Sequence, residues 1–152
     1  MSVERIYWDT DAFLGHLQGE AGKVALCAGT LQRMEQGEVV IITSALTIAE
    51  VLWRRNGPKI AKKKAEILRK FFKREGLRVR NVTRQVAELA QDIVWNHGVM
   101  PKDAIHVATA LAEGVPVLET FDRGLLKLDS RIGSPPLVIR KPIAPTQTTM
   151  DI

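Results

Sequence analysis

The sequence predicts an α/β fold, a parallel sheet with helices packed on both of its faces. Two observations carry that expectation. Five short runs of aliphatic, β-branched or aromatic residues alternate with longer stretches of helical periodicity, and strands that alternate with helices build parallel sheets through right-handed crossovers. Acidic residues also stand just beyond the apolar runs, where open α/β sheets place their sites.

The first run lies in Arg5 to Leu14, RIYWDTDAFL. Ile6, Tyr7 and Trp8 read as a buried strand that delivers Asp9, with Asp11 two residues later. Residues 12–18 predict a short helix or loop. A helix follows from about Gly22 to Gln36, with Val24, Leu31 and Met34 inward and Gly37 as its stop. Val39 to Thr43 is the second strand. Ser44 to Arg55 turns helical, with Leu46, Ala49, Glu50 and Trp53 around one face, and Gly57-Pro58 breaks it. Lys59 to Arg74 predicts the most regular helix. Ala61, Ala65, Leu68 and Phe72 form its stripe, edged by Ile60, Lys64, Ile67 and Phe71.

Leu77 to Val82 alternates as a third strand. Thr83 to Asn96 is a helix with Val86, Leu89, Ala90 and Ile93 inward, capped at Gly98. Pro101 and Asp103 open a helix, Ala104 to Glu113, that is apolar almost all round and therefore expected to be buried. Val115 to Thr120, a helical turn from Asp122 to Leu128, and Leu137 to Arg140 complete the pattern. Residues 1–140 form one expected domain, and 141–152, with Pro and Thr and little to bury, a flexible C-terminal tail.

At 152 residues the chain suits a single domain with a real core. Hydrophobic residues at 45% and charged ones at 26% fit a soluble globular protein. No apolar run approaches the ~20 residues of a membrane helix, and no secretory signal pattern opens the chain, so a cytoplasmic protein without membrane contact is expected. Cys27 is the only cysteine, which excludes an internal disulfide and a thiolate-rich zinc site. The net charge of +5 hides an asymmetry: residues 54–80 carry twelve Lys or Arg against Glu66 and Glu75, a net of +10, leaving −5 for the remainder. A basic lobe beside an acidic body fits a polyanionic partner.

Four acids share the expected carboxyl edge of the sheet: Asp9, Glu50, Asp103 and Asp122. Each has a local alternative. Asp9, Asp103 and Asp122 fit helix N-caps, and Thr47-Ile48-Ala49-Glu50 fits a capping box. As a set they mean more, because carboxylates buried together repel unless a cation or proton compensates. All-oxygen donors favour Mg²⁺ or Mn²⁺ over zinc. His106, three residues after Asp103, reads as a packed histidine rather than a ligand. Hard cations held by carboxylates serve phosphoryl transfer, and the basic lobe supplies a matching substrate class.

The strand ending in Asp9-Thr10, TIAEVLW (Thr47 to Trp53), KDAIHVATAL (Lys102 to Leu111) and LETFD (Leu118 to Asp122) resemble the PIN-domain ribonucleases, and most of all the small VapC-type members. The resemblance spans about residues 5 to 140. It implies a three-layer α/β/α sandwich with a five-stranded parallel sheet and Mg²⁺- or Mn²⁺-dependent endoribonuclease activity. It also implies an acidic quartet of Asp9, Glu50, Asp103 and Asp122 with Thr120 as an accompanying hydroxyl. Asp9, Asp103 and Asp122 are then the expected metal ligands, and Glu50 binds metal or orients water. RNA, a cognate antitoxin and a homodimer are the implied partners. Two acids depart from the pattern: Asp11, whose role stays open, and Glu119, expected to be a solvated charge. Arg54, Arg55, Lys59, Lys62, Lys63, Arg69 and Lys70 are expected either to guide RNA or simply to form a solvated outer face. Two rivals stand beside this reading. IYWDTDAF also resembles the strand-DxD opening of haloacid-dehalogenase-like phosphohydrolases, with loose downstream matches. A non-catalytic RNA- or partner-binding module is the other.

Overall fold

The computed structural model describes residues 2–53 and 60–145. Its strands β1 (Glu4–Trp8), β2 (Val39–Ser44), β3 (Leu77–Arg80), β4 (Val117–Glu119) and β5 (Val138–Arg140) form one sheet of order β3-β2-β1-β4-β5. Every neighbouring pair is parallel. The helices are α1 (Thr10–Leu17), α2 (Lys23–Glu35), α3 (Ala45–Glu50), α4 (Lys62–Phe71), α5 (Arg84–His97), α6 (Pro101–Ala112) and α7 (Arg123–Leu126). The expected three-layer sandwich is the observed one, and no helix among the described residues is long and apolar enough to cross a membrane.

Side chains that alternate along a strand feed two separate cores. Ile6 and Trp8 of β1 join Val39 and Ile41 of β2 against α1, α2 and α4. Tyr7 and Ile42 face the other way, with Leu118 and Ile139, onto α5 and α6. The register sets Ile6 opposite both Ile41 and Val117, and Trp8 opposite Glu119. Central β1 is thus covered on both faces, which is why its run is continuously apolar.

Local signals mark the helix ends. Thr83 caps α5 by accepting from the Val86 N–H, and Gly98 closes it in the left-handed conformation that glycine adopts without strain. Pro101 occupies the first turn of α6, where its missing N–H is harmless.

Several expectations need correction. Val24 lies on the exposed side of α2, and Cys27 takes the inward place with Leu31 and Met34. Cys27 donates to the Ala12 carbonyl, and burial pushes its thiol up to about 12. Ser44, not Thr47, caps α3, while the Thr47 hydroxyl pairs with that of Thr43. Glu50 is therefore the last residue of a short helix rather than half of a capping box. The helix expected to reach Arg55 ends at Glu50, so Trp53 lies beyond it and is 62% exposed. Asp103 lies inside the first turn of α6, whose cap is Met100. Glu119, expected in solvent, is 1% exposed. Beyond β5, Pro142 is buried, and the Ile143–Pro145 backbone crosses α2 so closely that any Cβ at Gly29 would collide with the Ile143 carbonyl.

Phe13 anchors the packing beneath α1. Its ring meets those of Trp8, Phe72 and Phe71 edge-on, with centroids at 5.0, 5.1 and 6.1 Å. Phe13→Ala should destabilise the protein by about 3–5 kcal/mol, read from the urea midpoint. Trp95→Ala, at an exposed position of α5, should change it by no more than about 0.5 kcal/mol.

Candidate active site

The chain runs outward from β1 through β2 to β3, then returns to lay β4 on the other side of β1. Connections therefore diverge between β1 and β4, and open α/β sheets form a crevice beyond the strand ends at such a point. A cleft of about 660 Å³ opens there, lined among others by Asp9, Glu50, Asp103 and Asp122. Each acid arrives from a different element: Asp9 beyond β1, Glu50 at the end of α3, Asp103 in the first turn of α6, and Asp122 beyond β4.

Asp9 is 3% exposed. Its Oδ1 accepts from the Ala12 N–H at 3.0 Å and its Oδ2 from the Thr120 hydroxyl at 2.5 Å. Thr120 in turn accepts from the Asp122 N–H at 3.0 Å, and Asp122 Oδ2 accepts from the Leu125 N–H at 3.0 Å. Asp9 and Asp122 are therefore both helix caps and cleft carboxylates. Capping engages one oxygen of each, so the two roles coexist.

Glu50 is held by a second set of bonds. Its Oε1 accepts from the Thr10 hydroxyl at 2.6 Å and from His106 Nε2 at 3.1 Å. The Tyr7 hydroxyl meets His106 Nδ1 at 2.7 Å behind it. Burial, with the charge of Asp9, pushes the Tyr7 phenol far above its ordinary range, so it keeps its proton, and His106 Nε2–H is the donor to the Glu50 carboxylate. His106 is buried, as expected of a packed histidine, yet it also lines the cleft. Its link to Glu50 comes from a partner 56 residues away, a contact that no local spacing signals.

The electrostatics divide the acids. Burial raises the Glu50 carboxyl, but the hydrogen bonds from His106 and Thr10 outweigh it and hold the group below its ordinary value. Burial raises Asp9 and the charge of Asp11 adds to the shift; His106 nearby, with the bonds from Thr120 and Ala12, recovers only part, leaving the carboxyl at about 7. Asp103 is raised by burial and then by the nearby charge of Asp122. Asp11 is half-buried in the first turn of α1 and lines the same cleft.

This donor set suits a hard cation in chemistry: oxygen ligands, crowded negative charge, and two carboxyls that resist ionising alone. Among the described residues no three His, Cys, Asp or Glu side chains converge as a ready-made cage. Mg²⁺ does not require one, since it commonly takes one or two carboxylates and keeps several waters. Asp9, Asp103 and Asp122 are the residues that could hold it.

A comparison with known families decides where the chain belongs. The model of the PIN domain matches residues 6–130. The chain belongs to the PIN domain family. No curated protein sequence matches it. Among solved structures, VapC20 of Mycobacterium tuberculosis, described as a "Sarcin-Ricin loop cleaving toxin", is 25% identical with a TM-score of 0.56, over 78% of this chain and 90% of that one. FitAcB from Neisseria gonorrhoeae is 20% identical with a TM-score of 0.59, over 90% and 97%. FitAB bound to an IR36 DNA fragment is 21% identical with a TM-score of 0.53, over 78% and 86%.

The cationic residues expected to guide RNA do not line the cleft where the structure describes them. Lys62, Lys63, Arg69 and Lys70 are exposed on α4 and do not line the acidic cleft. Arg69 instead edges a smaller, mainly apolar groove between α3 and α4. Arg54, Arg55 and Lys59 lie outside the described residues. Among the described residues, Lys23, Lys102 and Arg123 line the cleft. Two of them are sequence neighbours of the site acids Asp103 and Asp122, a signal that the basic density of residues 54–80 overshadowed.

The raised Asp9 carboxyl has a consequence for stability. Its value in the fold lies above the ordinary 3.8, so the protonated form favours folding, and that contribution is lost as pH rises from 3.8 to about 7. Asp9→Asn removes the penalty. In the absence of divalent cations at about pH 8, it should raise the melting temperature by roughly 2–8 °C, and the gain should disappear at about pH 4. A wild-type protein as stable as the variant at both pH values would contradict the buried charge.

Proposed function

We propose that this PIN domain is an endoribonuclease that hydrolyses RNA phosphodiesters with Mg²⁺ or Mn²⁺, and that it is the toxin of a toxin–antitoxin pair. The observation that carries the reading is the arrival of Asp9, Glu50, Asp103 and Asp122, from four separate elements, in one cleft of a PIN-domain chain. The likeness to VapC20, at 25% identity and described as a cleaving toxin, supports the toxin assignment. A cognate antitoxin and a second copy of the chain are the protein partners this reading includes. The family match leaves the phosphohydrolase alternative without support.

Asp9, Asp103 and Asp122 would hold the cation. When bound, it supplies a more acidic water and positive charge for the phosphate. Thr120 keeps Asp9 turned into the site by engaging one of its oxygens. Glu50, kept ionised by His106 and Thr10, is the residue suited to orient the attacking water and receive its proton. Burial, with the charge of Asp11 adding to it, keeps the Asp9 carboxyl high, which makes cation binding and proton release from Asp9 one coupled event. Lys23, Lys102 and Arg123 stand at the cleft to meet backbone phosphates. Attack of water on the phosphorus, with the P–O3′ bond breaking and the departing 3′-oxygen taking up a proton, would leave a 5′-phosphate and a 3′-hydroxyl.

Asp103→Asn should abolish Mn²⁺-dependent cleavage of RNA while its circular dichroism spectrum stays that of the parent. Cleavage retained by the rigorously purified variant would refute the assignment. Because Asp9 must ionise to bind a cation, Mn²⁺ affinity should fall about tenfold per pH unit below the Asp9 value of about 7 and level off above it; a flat profile from pH about 6 to 8 would count against the role of Asp9. RNA affinity should also fall steeply with salt if α4 guides the backbone. Replacing Lys62, Lys63 and Lys70 with Gln should flatten that slope, and an unchanged slope would return them to a solvated outer face.

A further inference from the structure

Trp53 stands apart from the other tryptophans of the chain. Trp8 is wholly buried, with its Nε1–H donated to Glu119. Trp95 is exposed on α5 and does not line the cleft. Trp53 is also largely exposed, but it lines the cleft that holds the four acids. A large apolar ring left in water beside a charged site is unfavourable in the unliganded protein, and an aromatic face there offers a surface on which a flat ligand can stack.

The other aromatic group of the cleft is already engaged. Phe121, between Thr120 and Asp122, packs on Gly15 so closely that a Cβ there would come within 2.8 Å of its ring edge. Lys23 Nζ lies 5.2 Å from its centroid. Around the acids, Lys102 and Arg123 provide positive charge on the same walls, while Lys23 is paired with Glu20 at 2.7 Å. Cations for a backbone together with an open aromatic face make the combination that single-stranded nucleic acid recognises, because every base has a face to stack whatever its sequence. Bases inside a duplex are stacked on one another and cannot use it.

We infer that Trp53 is a base-stacking platform that receives an unpaired RNA base next to the scissile phosphate. The inference rests on the proposed nuclease reading and deepens it by naming a residue that positions the substrate. Trp53 is a positioning residue, touching the base and not the reacting atoms. Its exposure also means that its replacement leaves the core undisturbed.

The test uses the full chain carrying Asp9→Asn, which binds without cleaving, and a short single-stranded oligoribonucleotide alone or annealed to its complement. Trp53→Ala should weaken binding of the single strand about tenfold, Trp53→Phe should retain most of the affinity, and the duplex should be bound equally by all three. Equal single-strand affinity of the tryptophan and alanine forms overturns the inference. So does a loss of the same size on the duplex, which marks a contact with backbone alone. Unchanged RNA affinity with self-association lost in sedimentation also overturns it, and makes Trp53 a protein contact. Cleavage by the Asp9-containing protein with Mn²⁺ is measured alongside. Absence of cleavage with the tryptophan-dependent binding intact rejects the nuclease reading alone, and cleavage without that dependence rejects only the platform.

Discussion

The bond between the Thr120 hydroxyl and Asp9 ties the site together. Asp9 leaves a strand that is apolar on both faces and enters a place where its charge is disfavoured. Among the described residues two donors meet it, the Ala12 N–H in the first turn of α1 and the Thr120 hydroxyl just beyond β4. One donor follows Asp9 in the chain and the other is 111 residues away. The carboxylate is thereby pinned across the seam between β1 and β4, and through Thr120 the same contact sets the Asp122 backbone. A buried carboxylate met by one donor on each oxygen and crowded by Asp11 holds negative charge reluctantly and keeps acceptor capacity free, which is the condition under which a cation is welcome.

Behind this seam lies a second buried acid, of a different kind. Glu119 lies beside Thr120, and its Oε1 accepts from Trp8 Nε1 at 2.8 Å and from the Thr30 hydroxyl at 2.7 Å. Arg140 Nη2 stands 3.4 Å from its other oxygen. Glu119 is thus satisfied by β1, α2 and β5 and stays out of the cleft. Glu119 and Asp122 are separated by three positions, yet one braces the sheet and the other faces the cleft, because Glu119 is the last residue of β4 while Asp122 lies beyond the strand as the cap of α7. Buried polar groups need their partners, and those of Glu119 explain why an acid survives there.

Local capping and shared chemistry turned out to be compatible. Asp9 and Asp122 cap α1 and α7, as isolated motifs would suggest, and face the cleft as well. The helix starts that they cap share the sheet edge at which the strands end, so a cap in this fold is placed at the site by topology. Glu50 differs: it caps nothing, and His106 with Thr10 determines its ionisation.

The sequence by itself determined the alternation of strands and helices, the single sheet, most core stripes and the four acids, because these follow from periodicity and from the rule that strand ends share an edge. It also carried the motifs through which the family is recognised. Only the tertiary structure decided that Glu119 is buried, that Val24 turns outward while Cys27 turns inward, and that His106 holds Glu50. The cleft cations Lys23, Lys102 and Arg123 likewise became apparent only in three dimensions. Each of these depends on partners distant in the chain, such as Trp8 for Glu119 and Glu50 for His106. Local propensity carries no information about which distant group will arrive, whereas a buried polar side chain is stable only where one does.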